Sequence, residues 1–123
     1  MTTYTIDKDG NSIESSKATS KPSDRHFRGA WSLSGTVISE DMTAAKVIFK
    51  DKIRQVRKPL LEAQDVIYMK AIEDGDSSAQ STVATKKKEL RDAPAASAIT
   101  NAKTIAELKS AWNTDLLGAS PYA

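Results

Sequence analysis

The chain has 123 residues, enough for one ordinary domain and too few for two. Hydrophobic residues make up 39%, below the usual globular share of about 45–50%, which argues against a self-sufficient core. The formal net charge of +2 comes from mixed charges along the chain, which argues against a dedicated nucleic-acid-binding protein. No apolar run approaches the roughly 20 residues of a membrane span. We therefore expect a chain that buries apolar surface against protein partners, with no nucleic acid and no membrane among them.

The N-terminal residues predict a small β-hairpin followed by an extended arm. Thr, Tyr and Ile between Tyr4 and Ile13 favour strands, and Asp9-Gly10 is typical of a tight turn. Residues 14–23 are rich in Ser, Lys, Thr and Pro, so they offer little to bury and are expected to be extended. Residues 1–24 form this N-terminal segment.

Residues 25–38 predict a second β-hairpin, with Ser34-Gly35 as its turn. Arginine and large aromatic residues, the types that dominate protein interfaces, are dense at its start. Two interpretations stay open for this cluster: it contacts another subunit, or its aromatic rings cover the helices that follow. The cluster comprises Asp24, Arg25, Phe27, Arg28 and Trp31.

A long amphipathic helix is predicted from Ser39 to Asp74, with Ser39 as the N-cap and acidic residues in the first turn. Its apolar residues recur at alternating spacings of four and three, which is the repeat of a coiled coil or a tight helical hairpin. Pro59 lies within this pattern, and we expect a kinked but continuous helix because the apolar register survives across it. The apolar seam consists of Phe49, Ile53, Val56, Leu60, Ala63 and Ile67.

Glu73-Asp74-Gly75-Asp76 is expected to end the long helix, with Gly75 at the left-handed cap position and Asp76 capping the next helix. The second helix is predicted over about Ser77–Asp92, antiparallel to the first, with Pro94 ending it. Residues 93–98 are expected to be a short hinge.

The sequence Thr104-x-x-Glu107 is a capping box and predicts a short third helix over about 104–112. Residues 39–117 thus form the helical part, and residues 118–123 form an apolar tail that is expected to dock or to fray. Trp112 and Tyr122 are open to two interpretations, core packing and interface contact.

Reactive chemistry is sparse in the sequence, which has no cysteine and a single histidine, His26. Nothing marks an activating or orienting partner for that histidine, as a catalytic base would require. Asp7, Asp9 and Asn11 share the spacing of a calcium loop, but Ser12 replaces the glycine and Ala18 the closing glutamate. We predict no catalytic, cofactor-binding or metal-binding residues and no enzymatic activity.

Several blocks, in order along the chain, resemble a family of small tail and tail-fibre-associated proteins of tailed bacteriophages. The resemblance covers about residues 24–112. It is carried most by RKPLLEAQD and KKKELRDAPA, since an x-Leu-Arg-Asp-x-Pro block also ends the helical segment of tail-fibre assembly chaperones. The other blocks are DRHFRGAW, EDM-x-x-AK, DKIRQVRKPLLEAQDVIYMKAIEDGD and TIAELKSAW.

The resemblance implies a non-enzymatic component of the virion or of its assembly, made in the bacterial cytoplasm. One interpretation is a structural protein of the tail, baseplate or fibre-attachment region, held by other tail or fibre proteins; the other is an assembly chaperone that is absent from the mature virion. We expect a homo-oligomer, with a trimer as the form that suits a fibre. The predicted interface residues are Phe27, Arg28, Trp31, Phe49, Ile53, Val56, Leu60, Ile67, Trp112 and Tyr122.

Overall fold

The computed structural model describes residues 3–22 and 25–122. The fold is mainly α-helical: two small antiparallel β-hairpins precede a long helix, which forms an antiparallel helical hairpin with the next helix. This confirms the fold class predicted from the sequence.

The two β-hairpins are separate two-stranded sheets. Strands β1 (Tyr4–Ile6) and β2 (Ser12–Glu14) pair with Thr5 opposite Ile13. Strands β3 (Trp31–Ser34) and β4 (Val37–Glu40) pair with Leu33 opposite Ile38. A two-stranded sheet has little stability of its own, so both hairpins depend on what they contact.

The segment after β2 is less free than its composition predicts. Residues Ser15–Lys17 form a turn of 3-10 helix, and Ser20 forms a parallel bridge with Val37. The Ser20 carbonyl accepts the Ile38 amide at 2.8 Å, and the Thr36 carbonyl accepts the Thr19 amide at 2.9 Å. The expected extended arm is therefore extended only where it lies along β4 and uses the backbone groups of that edge strand.

Helix α1 (Met42–Glu73) starts two residues later than predicted, with its N-cap at Asp41 and not at Ser39. Ser39 is not the N-cap, because it lies in β4 and pairs with Ser32. Asp41 caps the helix instead, and its carboxylate accepts the amides of Thr43 at 3.0 Å and Ala44 at 3.2 Å. Pro59 lies inside α1, and the helix continues through it unbroken, as the apolar register predicts.

Helix α2 (Ser77–Asp92) has the predicted bounds. The turn before it uses Gly75 at φ +65°, where a side chain would be strained, and the Asp76 carboxylate caps α2 by accepting the Ala79 amide at 3.0 Å. The two helices are antiparallel: Arg57 of α1 reaches the end of α2, while the Ala71 carbonyl accepts from the Gln80 side chain near its start.

The C-terminal third is more helical than predicted. Residues Ala93–Ala95 form a 3-10 turn, and the expected hinge continues into a short helix, α3 (Ser97–Asn101). Helix α4 (Ile105–Ser110) lies inside the predicted range. The Thr104 hydroxyl caps it by accepting the Glu107 amide, and the Glu107 carboxylate accepts the amide of Lys103, one residue before the cap. A further short helix, α5 (Thr114–Leu117), precedes the tail.

The chain builds a core of its own, contrary to the expectation from composition. Helix α1 supplies its centre, and the residues before β3 and the short C-terminal helices cover it from opposite ends of the sequence. Dispersed apolar residues of the C-terminal third complete this core, so a modest total content suffices. Its fully buried members include Phe27, Ala30, Ala45, Phe49, Ile53, Leu90, Ile99 and Leu108.

Candidate interaction surfaces

The predicted interface residues divide between the core and the surface. Five of the ten are buried within the chain itself, where they have almost no area to offer another subunit in this conformation, and three more are half-buried. Arg28 and Ile67 remain exposed. The buried members are Phe27, Trp31, Phe49, Ile53 and Trp112, and the half-buried ones are Val56, Leu60 and Tyr122.

The tail docks on the same molecule through Tyr122. Its ring stacks on Phe27 at 4.9 Å and on Phe49 at 5.5 Å between centroids, and Trp112 meets it edge-on at 6.1 Å. The Trp112 indole donates to the Gly118 carbonyl at 3.0 Å, which fixes the turn leading to the tail. Burial raises the pKa of the Tyr122 hydroxyl above its ordinary value.

Trp31 is 1% exposed and lies beneath two arginines. The guanidinium groups of Arg25 and Arg28 each lie 5.8 Å from the centre of its ring, within cation–π range. The two arginines are the accessible part of the predicted cluster; Asp24, which the sequence groups with them, lies outside the described residues. A partner at this face would meet cations and not the aromatic rings.

His26 lies against the tail. Its ring meets Tyr122 edge-on at 5.5 Å, and the Lys109 ammonium lies 3.0 Å from its Nδ1. Within residues 3–22 and 25–122, no three metal-ligating side chains come together, and no helix is long and apolar enough to cross a membrane.

The distal half of α1, residues 58–73, carries an exposed apolar row that the sequence prediction missed. Val66, Met69 and Ile72 follow one another at three-residue spacing and are 70%, 61% and 50% exposed. Large apolar side chains this open are notable when they are contiguous, because they mark contact surfaces. Ile67, 48% exposed, lies beside the row and is the one member of the predicted seam found there.

In this half the predicted seam residues are not buried, because a different face of α1 packs against α2. Ala71 is buried against α2, whereas Ala63 and Ile67 are exposed. The face that meets α2 is partly polar: Asp65 pairs with Lys87, whose ammonium lies 5.9 Å from the centre of the Tyr68 ring. The signal in the sequence is Lys70, which falls where the 3.5-residue repeat demands an apolar residue.

The hairpin tip, residues 73–76, is strongly acidic. Glu73, Asp74 and Asp76 are all exposed, and in the described part of the chain the carboxylates of Glu73 and Asp74 have no cationic partner within 4.0 Å. These two carboxylates also lie at the C-terminal end of α1, where the helix dipole already concentrates negative charge. The tip is therefore an unneutralised negative site.

A basic groove of about 260 Å³ lies at the opposite end of the hairpin, where α1 meets the end of α2. Arg57 donates to the Arg91 carbonyl at 2.8 Å and so binds the C-terminal end of α2. Arg54 pairs with Asp51 at 2.7 Å. The groove is lined by Lys50, Arg54, Arg57, Arg91, Pro94 and Ala95.

A larger cavity of about 490 Å³ opens between α1, the end of α2 and α5. Ile53, Ala111, Leu116 and Leu117 give it an apolar floor, and α2 places charges of both signs on its rim. It is wide enough for a bulky apolar side chain.

No family model, curated protein or solved structure matches the chain.

Proposed function

We propose that the chain is a non-enzymatic structural protein of a bacteriophage virion, in the tail, baseplate or fibre-attachment region. It acts through subunit contacts with other tail or fibre proteins and with copies of itself, and a trimer is the oligomer that suits a fibre. The resemblance over residues 24–112 supports the phage assignment. The observation that supports the contact role is the exposed apolar row of Val66, Met69 and Ile72 on the helical hairpin.

The apolar row fits a contact surface because much of its area is left uncovered in the monomer. Each member keeps half or more of its surface in water. Covering apolar surface contributes roughly 25 cal/mol per Å², so a partner seated on the row gains directly from it. The core is complete without it, since the fully buried side chains lie around Phe49 and Ile53.

An assembly chaperone, absent from the mature virion, is the second candidate. It is favoured by Leu90-Arg91-Asp92-Ala93-Pro94, which resembles the x-Leu-Arg-Asp-x-Pro block of the chaperones. This block spans the end of α2 and the 3-10 turn Ala93–Ala95 that follows it. A chaperone contacts its client through the same kind of exposed apolar surface. The two candidates therefore differ in whether the protein stays in the mature virion, and not in the kind of contact it makes.

Mass spectrometry of purified particles distinguishes the two candidates. For a structural protein we expect the chain in mature particles at a fixed ratio to other tail proteins. Its presence in infected cells together with its absence from particles identifies the chaperone instead. If it is absent from particles and binds no tail or fibre protein in infected cells, both candidates are wrong.

The role of the apolar row is tested by V66Q/M69Q/I72Q, which keeps the helix and removes the exposed apolar groups. We expect at least tenfold less of this variant in particles, with a melting temperature close to that of the wild type because the row is not in the core. The matched control I6Q/V47Q changes exposed apolar residues elsewhere and should enter particles normally. Normal incorporation of the triple variant would contradict the role of the row.

A further inference from the structure

We infer that the acidic hairpin tip of one copy of this chain docks into the basic groove of a second copy. The two sites carry opposite charge, and they stand at opposite ends of the same helical hairpin. The inference rests on the proposed function only in taking the chain to work through subunit contacts.

The groove has more positive charge than its surroundings neutralise. Four cationic side chains line it, whereas Asp51 is the carboxylate paired there, with Arg54. Arg57 is held by the carbonyls of Leu90 and Arg91. Within the described chain, Lys50 and Arg91 have no carboxylate within 4.0 Å, so they are the cations available to a ligand.

The tip has the complementary charge. It is a narrow turn between two helices, with the carboxylates of Glu73 and Asp74 exposed beside it. Their position at the end of α1 disfavours negative charge, because the helix dipole is negative there. A cationic groove that receives the tip supplies the positive charge that these two carboxylates lack within the described part of their own chain.

The two sites of one molecule cannot meet each other. About 20 residues of continuous helix separate Arg54 from Asp74, which corresponds to roughly 30 Å at 1.5 Å per residue. The tip therefore reaches only the groove of another copy. Such a contact joins two different surfaces and repeats head to tail, so it closes into a ring, of which a cyclic trimer is one case, or continues as a filament.

Complementary charge reversal tests the contact in the purified full chain. The tip variant is E73K/D74K, and the groove variant is K50E/R91E; Asp76, Arg54 and Arg57 stay unchanged because each has a structural partner. We expect sedimentation velocity at low salt to show wild-type self-association that weakens at high salt. Each variant alone should associate at least tenfold more weakly, and an equimolar mixture should recover association, because each variant then offers the surface that the other needs.

Matched controls carry the same change of charge elsewhere: E62K/D115K for the tip and K21E/K103E for the groove. Both should associate like the wild type. The tip variant should also melt at or above the wild-type temperature, since lysine suits a helix C-terminus, and this shows that its loss of association is not unfolding. A mixture that fails to recover association, or controls that lose it equally, would overturn the inference.

Three further outcomes separate this inference from the alternatives. If the wild type stays monomeric at about 0.5 mM in low salt but binds duplex DNA through Lys50 and Arg91, the groove takes a phosphate backbone and the inference is wrong. If both charge variants enter particles as the wild type does, the head-to-tail contact is wrong while the structural role stands. Self-association of a chain that particles lack would reject the structural role and leave the contact intact.

Discussion

Asp7 joins the two β-hairpins through a single buried carboxylate. Its Oδ2 accepts the Leu33 amide of β3 at 2.8 Å, and its Oδ1 accepts the amides of Asp9 at 3.0 Å and Asn11 at 2.8 Å within its own loop. The residues that suggest a calcium loop by spacing thus have a structural explanation, because Asp7 directs its oxygens at backbone amides.

These hydrogen bonds make folding sensitive to acid. The Leu33 amide, with those of Asn11 and Asp9, favours the charged carboxylate and holds the pKa of Asp7 below its ordinary value despite desolvation. The stabilisation is therefore complete above the ordinary pKa of 3.8 and is lost as the pH falls through the lowered value.

Thermal unfolding followed by circular dichroism between about pH 2 and pH 7 measures this contribution. We expect D7N to melt below the wild type at neutral pH and the difference to shrink in acid. The control D9N changes an exposed carboxylate whose partner is the Lys8 ammonium, and it should behave like the wild type. An unchanged difference across the pH range would contradict the role of the Asp7 charge.

Among the elements, α1 keeps Pro59 in its interior at a cost that the rest of the chain must offset. A proline there removes the amide that would bond to the Gln55 carbonyl and crowds the preceding turn. Pro59 is exposed, so no packing is lost by changing it.

We therefore expect P59A to raise the free energy of unfolding by about 1–2 kcal/mol, less than the full helix-propensity difference because the unfolded chain gains freedom. Denaturant unfolding measures it. Lys58→Ala, at the neighbouring exposed position, is the control and should change stability by less than about 0.5 kcal/mol. A loss of stability in P59A would show that the local shape at the proline is needed by the packing around it.

Local chemistry explains which elements the sequence predicts well. The bounds of α2 follow from the cap at Asp76 and the proline at Pro94, and the capping box at Thr104 marks the start of α4. The N-cap of α1 is missed because Ser39 and Asp41 are equally suitable by type, and only the pairing of β4 with β3 decides between them. Helices α3 and α5 span four or five residues and have no apolar period to detect.

The candidate sites were harder to predict than the elements. A seam residue such as Ile53 has the same periodic signature whether its cover comes from another subunit or from the same chain. The cover is a set of short C-terminal pieces whose position depends on tertiary packing. The apolar row and the basic groove emerge only when the face of α1 that meets α2 is known.

At the scale of the whole molecule, packing is unequal along α1. The proximal half is buried under both ends of the chain, whereas the distal half meets α2 through only Ala71 and Val83 as buried apolar side chains among the described residues. Regions with few buried apolar contacts open at lower free energy.

Native-state hydrogen exchange should reveal this difference. We expect the amides of residues 62–72 to exchange at least about tenfold faster than those of residues 45–53, a difference of about 1.4 kcal/mol in opening free energy. Tip docking should slow the distal amides in concentrated samples, so a dilute sample at high salt is the reference condition. Uniform protection along α1 would contradict the predicted difference in opening free energy between its two halves.

The stack of Tyr122 on Phe27 and Phe49 has a consequence for synthesis. These rings come from positions far apart in the chain, and ribosomes release the N-terminal side first. The side chains of Phe27 and Phe49 therefore stay exposed until the C-terminal helices and the tail emerge from the ribosome. The local pairing of α1 with α2 can form before that. During that interval the nascent chain exposes apolar surface that is buried in the finished fold, and a cellular chaperone would bind it then.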